Sequence, residues 1–315
     1  MQPKYRHALP QMGDKPFLTD GGLETCMIFH EGLEMPLFAA FTLLDSEEGR
    51  NAIDRYMVSF AKMAAEQKVG FIMDTPTWRA SDRWAKDLGV STAELKAKHR
   101  QAVSYLASLR DGLETAESPF VLNGVIGPQD DGYNPNTFMS ADEAQIYHAQ
   151  QVGWFAELGA DMVSAITMTY VEEAIGIAKA AKEAGIPAVI SFTVETDGRL
   201  PSGQALFHAI AEVDTVTAAS PAYFMINCAH PDHFRDILET RNPLASRIKG
   251  VRANASRMSH EELDNAEELD DGDPQELSMQ YRDLKRLLPK LNVMGGCCGT
   301  DHRHIGAICS TAHHG

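Results

Sequence analysis

Two adjacent thiols, Cys297 and Cys298, stand between glycines in Asn292-Val293-Met294-Gly295-Gly296-Cys297-Cys298-Gly299-Thr300-Asp301-His302, and no other stretch of the 315 residues concentrates as much chemistry. Leu291 to Met294 reads as a short strand. Neighbouring side chains on a regular strand point to opposite faces, so the glycine-flanked turn is what lets both sulfurs converge on one ion. A third thiol, Cys228, ends another apolar run, Met225-Ile226-Asn227. A lone buried cysteine is ordinarily a small hydrophobe; two between glycines and a third at a strand end read as metal ligands. Three thiolates leave one tetrahedral position open, the mark of a catalytic rather than a structural zinc. A thiol bound there loses its proton outright instead of ionising near its usual pKa of about 8.5, and becomes a standing nucleophile. His302 and His304 follow closely, but Cys228 already completes the thiolate set and the next helix is expected to carry the histidines outward. His313 and His314 read as a loose tail.

The elements that must position these thiols alternate regularly. Strands are expected at 17–19, 71–73, 121–124, 162–165, 188–192, 223–227, 247–251 and 291–294. Helices are expected at 47–68, 91–109, 140–159, 171–184, 204–213, 232–240 and 275–288, with capping boxes at Ser91-Thr92-Ala93-Glu94 and Ser140-Ala141-Asp142-Glu143. Eight βα units imply a parallel sheet, and their number and size favour a closed (β/α)8 TIM barrel, class α/β, in a single domain over 17–315. Residues 1–16, with three prolines, read as an N-terminal arm. In such a barrel the carboxyl ends of the strands share one mouth. Asp20, Cys228, Cys297 and Cys298 all fall there.

A net charge of -16 argues against nucleic acid or an anionic membrane and for a small-molecule ligand. No apolar run approaches the roughly 20 residues of a membrane span, and the N-terminus lacks an apolar signal core, so a cytoplasmic protein is expected. Five cysteines make a poor disulfide framework; Cys26 and Cys309 are left without a role. The acidic run Glu261 to Asp273 reads as a solvated loop face.

Leu18-Thr19-Asp20-Gly21-Gly22, Ile226-Asn227-Cys228 and Gly295-Gly296-Cys297-Cys298-Gly299-Thr300, in that order, resemble the zinc-dependent homocysteine S-methyltransferases over about 17–305. The resemblance implies one zinc per chain on Cys228, Cys297 and Cys298, and methyl transfer from a small activated donor to a thiol, homocysteine giving methionine. It implies that Asp20 binds the amino group of the acceptor while Gly21 and Gly22 let the backbone approach; Asp before Gly-Gly is also ordinary turn chemistry. Ser191, Phe192 and Thr193 follow the family's strand-five pattern, Asn254 its strand-seven loop, and Asn227 stands beside the ligands. Trp78 and Tyr133 are candidates to face a cationic donor through cation-π contact, with core or lid packing as the alternative. No cobalamin or folate module is expected, which favours a free small donor, with methylfolate or a corrinoid protein arriving in trans as the alternatives. The chain departs from the family at Ile166, where a strand-four Glu helps hold the amino group; Glu195 is the candidate replacement, and a thiol other than homocysteine is the alternative acceptor. Two rival readings stand beside this one: a Schiff-base aldolase-type barrel with Lys249 as nucleophile and the Gly295 to Thr300 loop as phosphate holder, and a non-catalytic zinc-binding protein.

Overall fold

A computed structural model describes residues 1–312; His313 and His314 lie outside the described residues. Eight parallel strands close into a barrel in sequence order, β1 (Phe17–Leu18), β2 (Gly70–Asp74), β3 (Phe120–Ile126), β4 (Met162–Met168), β5 (Ala188–Phe192), β6 (Tyr223–Asn227), β7 (Ile248–Ala253) and β8 (Val293–Gly296). The ring is sealed by β1 against β8, Phe17 opposite Val293 and Leu18 opposite Met294. Eight long helices follow the strands: α1 (Glu47–Glu66), α2 (Thr92–Leu113), α3 (Ala141–Leu158), α4 (Val171–Ala184), α5 (Leu206–Thr217), α6 (Pro231–Glu239), α7 (Pro274–Leu287) and α8 (His302–Ala312). Their ends obey local rules. Both expected capping boxes form, at Ser91 and at Ser140, and α4 ends on Gly185 in the left-handed conformation.

Strand alternation divides the core in two. Ile72, Val121, Val125, Met162, Ile166, Val189, Tyr223, Met225 and Val293 fill the barrel interior with Phe17, while Phe71, Met73, Phe120, Leu122, Val163, Ile190 and Phe224 pack outward under the helices. The arm closes the amino-terminal end. Leu9 joins the interior cluster, and the Asn292 side-chain amide donates to the carbonyls of Gln11, Gly13 and Lys15 at 2.9, 2.9 and 3.0 Å. Among the described residues, no helix is long and apolar enough to cross a membrane.

Among the short helices that escaped the sequence reading are Asp82–Asp87 and His260–Asp264. The second opens the acidic run expected to be a solvated loop, capped by Ser259 with Glu262. The run lies at the mouth, where Asp264 at the end of that helix and Glu268 and Asp270 beyond it line the cavity.

Because Asn292 ties the arm down at the end away from the thiols, Asn292→Ala is expected to lower stability by about 1–3 kcal/mol in urea unfolding while leaving zinc content unchanged. A stability equal to that of the unmodified chain would show that the arm is held by other contacts.

Candidate active site

Cys228 follows β6 with φ of 53°, a left-handed backbone that costs a non-glycine residue of the order of 1 kcal/mol. That turn aims its sulfur across the mouth toward the loop after β8. There Gly299, with φ of 77°, closes the bend that exposes Cys297 and Cys298. The loop is pinned from both sides: the Cys297 amide donates to the Ala253 carbonyl at 2.8 Å, the Ala255 amide to the Cys298 carbonyl at 3.1 Å and the Gly296 amide to the Asp20 carbonyl at 2.9 Å. From outside, the Tyr281 hydroxyl accepts the Ala253 amide at 2.9 Å and donates to the Gly295 carbonyl at 2.5 Å.

The three sulfurs lie within 4.8 Å of one another, Cys228 and Cys298 at 3.5 Å. Thiolates held tetrahedrally about 2.3 Å from a zinc stand about 3.8 Å apart, so the spacing and the all-sulfur chemistry of the set fit that ion. Three thiols so close share protons. Hydrogen bonds from Cys228 and Cys298 hold Cys297 well below the ordinary thiol range and push its two neighbours up.

Polar side chains orient the sulfurs. The Asn254 amide points at Cys228 Sγ from 3.7 Å and the Asn227 amide at Cys297 Sγ from 3.9 Å. Asn227 is itself fixed, its Oδ1 accepting from the Ser191 hydroxyl at 2.6 Å and from the Thr167 amide at 2.9 Å, its Nδ2 donating to the Thr167 hydroxyl at 2.8 Å. Tyr133 brings its hydroxyl 2.8 Å from Cys228 Sγ and stacks its ring on His260 at 4.2 Å.

Cys228, Cys297, Cys298, Tyr133, Thr167 and Asn254 wall a cavity of about 450 Å³ that also meets Asp20, Gly21, Gly22, Trp78 and Ile166, with Asn227 behind the wall. Gly21 and Gly22 have a structural reason to lack side chains. A Cβ at Gly21 would meet the Thr300 carbonyl at 2.5 Å, and one at Gly22 the Cys297 carbonyl at 2.6 Å. Trp78 donates its indole N–H to the Ile166 carbonyl at 3.1 Å and carries the Arg79 guanidinium 5.1 Å from its ring centre.

Other expectations are redirected. Thr193 is buried outside the cavity wall, 3.2 Å from His260 Nε2. Glu195 pairs with His260 Nδ1 at 2.9 Å and does not face the cavity, so it is not the replacement acid. Lys249 lies at the start of β7, its Nζ 3.5 Å from the Met12 and Gly13 carbonyls of the arm, which removes it from the mouth and with it the Schiff-base reading. His302 is exposed as expected; His304 is instead buried, its Nε2 donating to the Asp271 carbonyl at 2.8 Å and its Nδ1 accepting the Asp301 amide at 3.2 Å. Burial pushes the Cys26 thiol up to about 12 and that of Cys309 up to about 11, as befits inert core sulfurs.

Sequence reading missed the mouth's charged centre. Arg252, near the end of β7, donates to Asp20 Oδ1 at 2.6 Å, to Asp74 Oδ2 and to the Gly296 carbonyl at 3.2 Å. Tyr56 adds a hydroxyl 3.2 Å from Asp20 Oδ2. Burial outweighs Arg252 at Asp20 and pushes its carboxyl up to about 8.

A family model described as homocysteine S-methyltransferase matches residues 17–312. The chain belongs to the homocysteine S-methyltransferase family. Among solved structures it is similar to the homocysteine methyltransferase MmuM from Escherichia coli, in its oxidized form with a TM-score of 0.73 and in its metallated form with 0.71. Each is 18% identical, the match covering 96% of this chain and 98% of the other. The shared fold is the barrel, and its mouth here carries a thiol cluster able to hold a metal.

Asn227 ties β4, β5 and the sulfurs together, so Asn227→Ala is expected to weaken zinc affinity by roughly 10- to 100-fold in chelator competition. Unchanged affinity would show that Asn227 serves the barrel alone.

Proposed function

We propose that this protein is a zinc-dependent S-methyltransferase, binding about one zinc per chain, that moves a methyl group from a small cationic donor to homocysteine. The observation that carries this reading is the placement of three converging sulfurs and a buried charged cluster on the wall of one cavity. Cys228, Cys297 and Cys298 hold the metal. Bound there, zinc keeps an acceptor thiol deprotonated at neutral pH and fixes its direction of attack. Asp20 receives the acceptor's ammonium, and Asn254 and Asn227 steady the sulfurs.

The acceptor sulfur forms its bond to the methyl carbon as the bond from that carbon to the donor heteroatom breaks. The electron pair leaves with the donor, which departs neutral. Trp78 lines the cavity where the donor's positive charge would sit, and Asp264 on the same wall adds negative potential. Tyr133 stands closer to the sulfurs than to any donor subsite, since its hydroxyl is engaged with Cys228. Five free thiols and no disulfide among the described residues suit a reducing, cytoplasmic setting. Methyl transfer, rather than zinc storage, accounts for the cavity as well as the thiols.

Replacing any one of Cys228, Cys297 or Cys298 with Ala is expected to remove bound zinc and turnover while the far-ultraviolet spectrum stays that of the folded barrel. Normal methyl transfer by Cys298→Ala would sink the assignment. Trp78→Ala is expected to raise the KM for the donor by the equivalent of about 0.5–2 kcal/mol and to leave the acceptor KM nearly unchanged. Equal effects on the two substrates would make Trp78 a packing residue, and activity with methylfolate alone would refute the cationic donor.

A further inference from the structure

We propose that Arg252 anchors the carboxylate of the acceptor thiol, so that Arg252, Asp20 and Asp74 together read an amino-acid zwitterion beside the three sulfurs. The inference rests on the methyl-transfer reading above and names the contact that selects its acceptor.

The guanidinium is buried, yet it lines the cavity. Its hydrogen bonds leave it unfinished. Of five N–H donors, Nε spends one on the Gly296 carbonyl, one terminal nitrogen spends one on Asp74 and the other spends one on Asp20. One donor on each terminal nitrogen remains without a partner among the described residues. Two such donors in a fixed plane are what a carboxylate accepts best.

Position agrees with this role. On β7 Arg252 stands opposite Asn227 of β6 and Gly295 of β8, the Cys228 amide donates to its carbonyl at 3.0 Å, and its Nε reaches the residue before Cys297. The guanidinium is therefore set beside the turns that present the sulfurs, within the reach of a short amino acid whose thiol joins them. Apolar Val125 and Ile166 on the same wall suit the intervening methylenes. The cavity's other guanidinium, Arg79, is turned to a different part of the wall: it donates to Asp131 at 3.0 Å and to the Leu37 carbonyl at 2.6 Å, and lies 4.1 Å from the Trp84 ring centre.

Charge also favours a zwitterion. A carboxylate alone would bring a net negative charge into a buried cluster that already sets two acids against one guanidinium. An acceptor that brings an ammonium with its carboxylate leaves the balance unchanged and gives Asp20 a partner.

The test uses zinc-loaded protein and two acceptors, homocysteine and 3-aminopropane-1-thiol, which keeps the amine and thiol but lacks the carboxylate. Steady-state kinetics are read beside calorimetric binding of each thiol without donor. With the unmodified chain, the thiol lacking the carboxylate is expected to have a KM at least about tenfold higher. Arg252→Lys, which keeps a cation beside Asp20, is expected to raise the homocysteine KM by at least about tenfold and by a larger factor than that of 3-aminopropane-1-thiol. Equal use of the two thiols by the unmodified chain, or equal shifts of both KM values in Arg252→Lys, would overturn the proposal. If Arg252→Lys does not fold, the comparison on the unmodified chain decides alone. Failure of the methyl-transfer reading looks different: no thiol is methylated by any donor, whatever preference calorimetry records.

Discussion

Three sulfurs held within 4.8 Å of one another are stable as thiols and mutually repulsive as thiolates, and that conflict is the constraint around which the mouth of the barrel is built. A dication resolves it; until one binds, the fold must hold the sulfurs together against their own tendency to separate once ionised. It does so with backbone rather than with side-chain packing. Cys228 accepts a left-handed conformation, Gly299 turns the opposing loop, and amides from Gly296, Cys297 and Ala255 tie that loop to the strands beside it. Strain at Cys228 is therefore part of the site and is offset by the barrel that fixes both neighbours.

The buried charge cluster next to the sulfurs follows different logic. Burying a guanidinium beside two acidic side chains costs several kcal/mol for each group that stays charged, and apolar side chains in their place are the more stabilising choice in many proteins. Arg252, Asp20 and Asp74 are better understood as a preorganised set of donors and acceptors facing the cavity. Tyr56 and Asn123, each hydrogen-bonded to one of the two carboxylates, hold that set rigid. The rest of the wall mixes apolar and aromatic side chains with Arg79 and further acids, Glu24, Asp131, Asp264, Glu268 and Asp270.

Much of the architecture was legible because local and global signals agree. β5 and β6 were delimited at 188–192 and 223–227 from apolar runs between turn residues, and α4 from a helical stretch closed by Gly185. The thiol triad was legible because adjacent cysteines between glycines have few other uses. Arg252 was not, for a specific reason. Strand seven was ended at Val251, two residues short, which left Arg252 in a loop where a charge calls for no explanation; on the strand, at its carboxyl end, a buried charge does. Asp74 fell just past the expected end of strand two in the same way. The His260–Asp264 helix carried a signal, Ser259 followed by Glu262 three residues later, but the surrounding acids suggested solvent. Glu195 shows the limit of reasoning by sequence proximity: it lies near the right strand end and turns to His260.

The central claim is that the three cysteines present an ion whose remaining position belongs to the acceptor's sulfur. X-ray absorption at the zinc edge, on protein reconstituted with zinc and measured with and without homocysteine, tests it most directly. The account predicts three sulfur neighbours at about 2.3 Å in the protein alone and four when homocysteine is present. Fewer than three sulfurs at the start, or a sulfur count that homocysteine does not change, would contradict it.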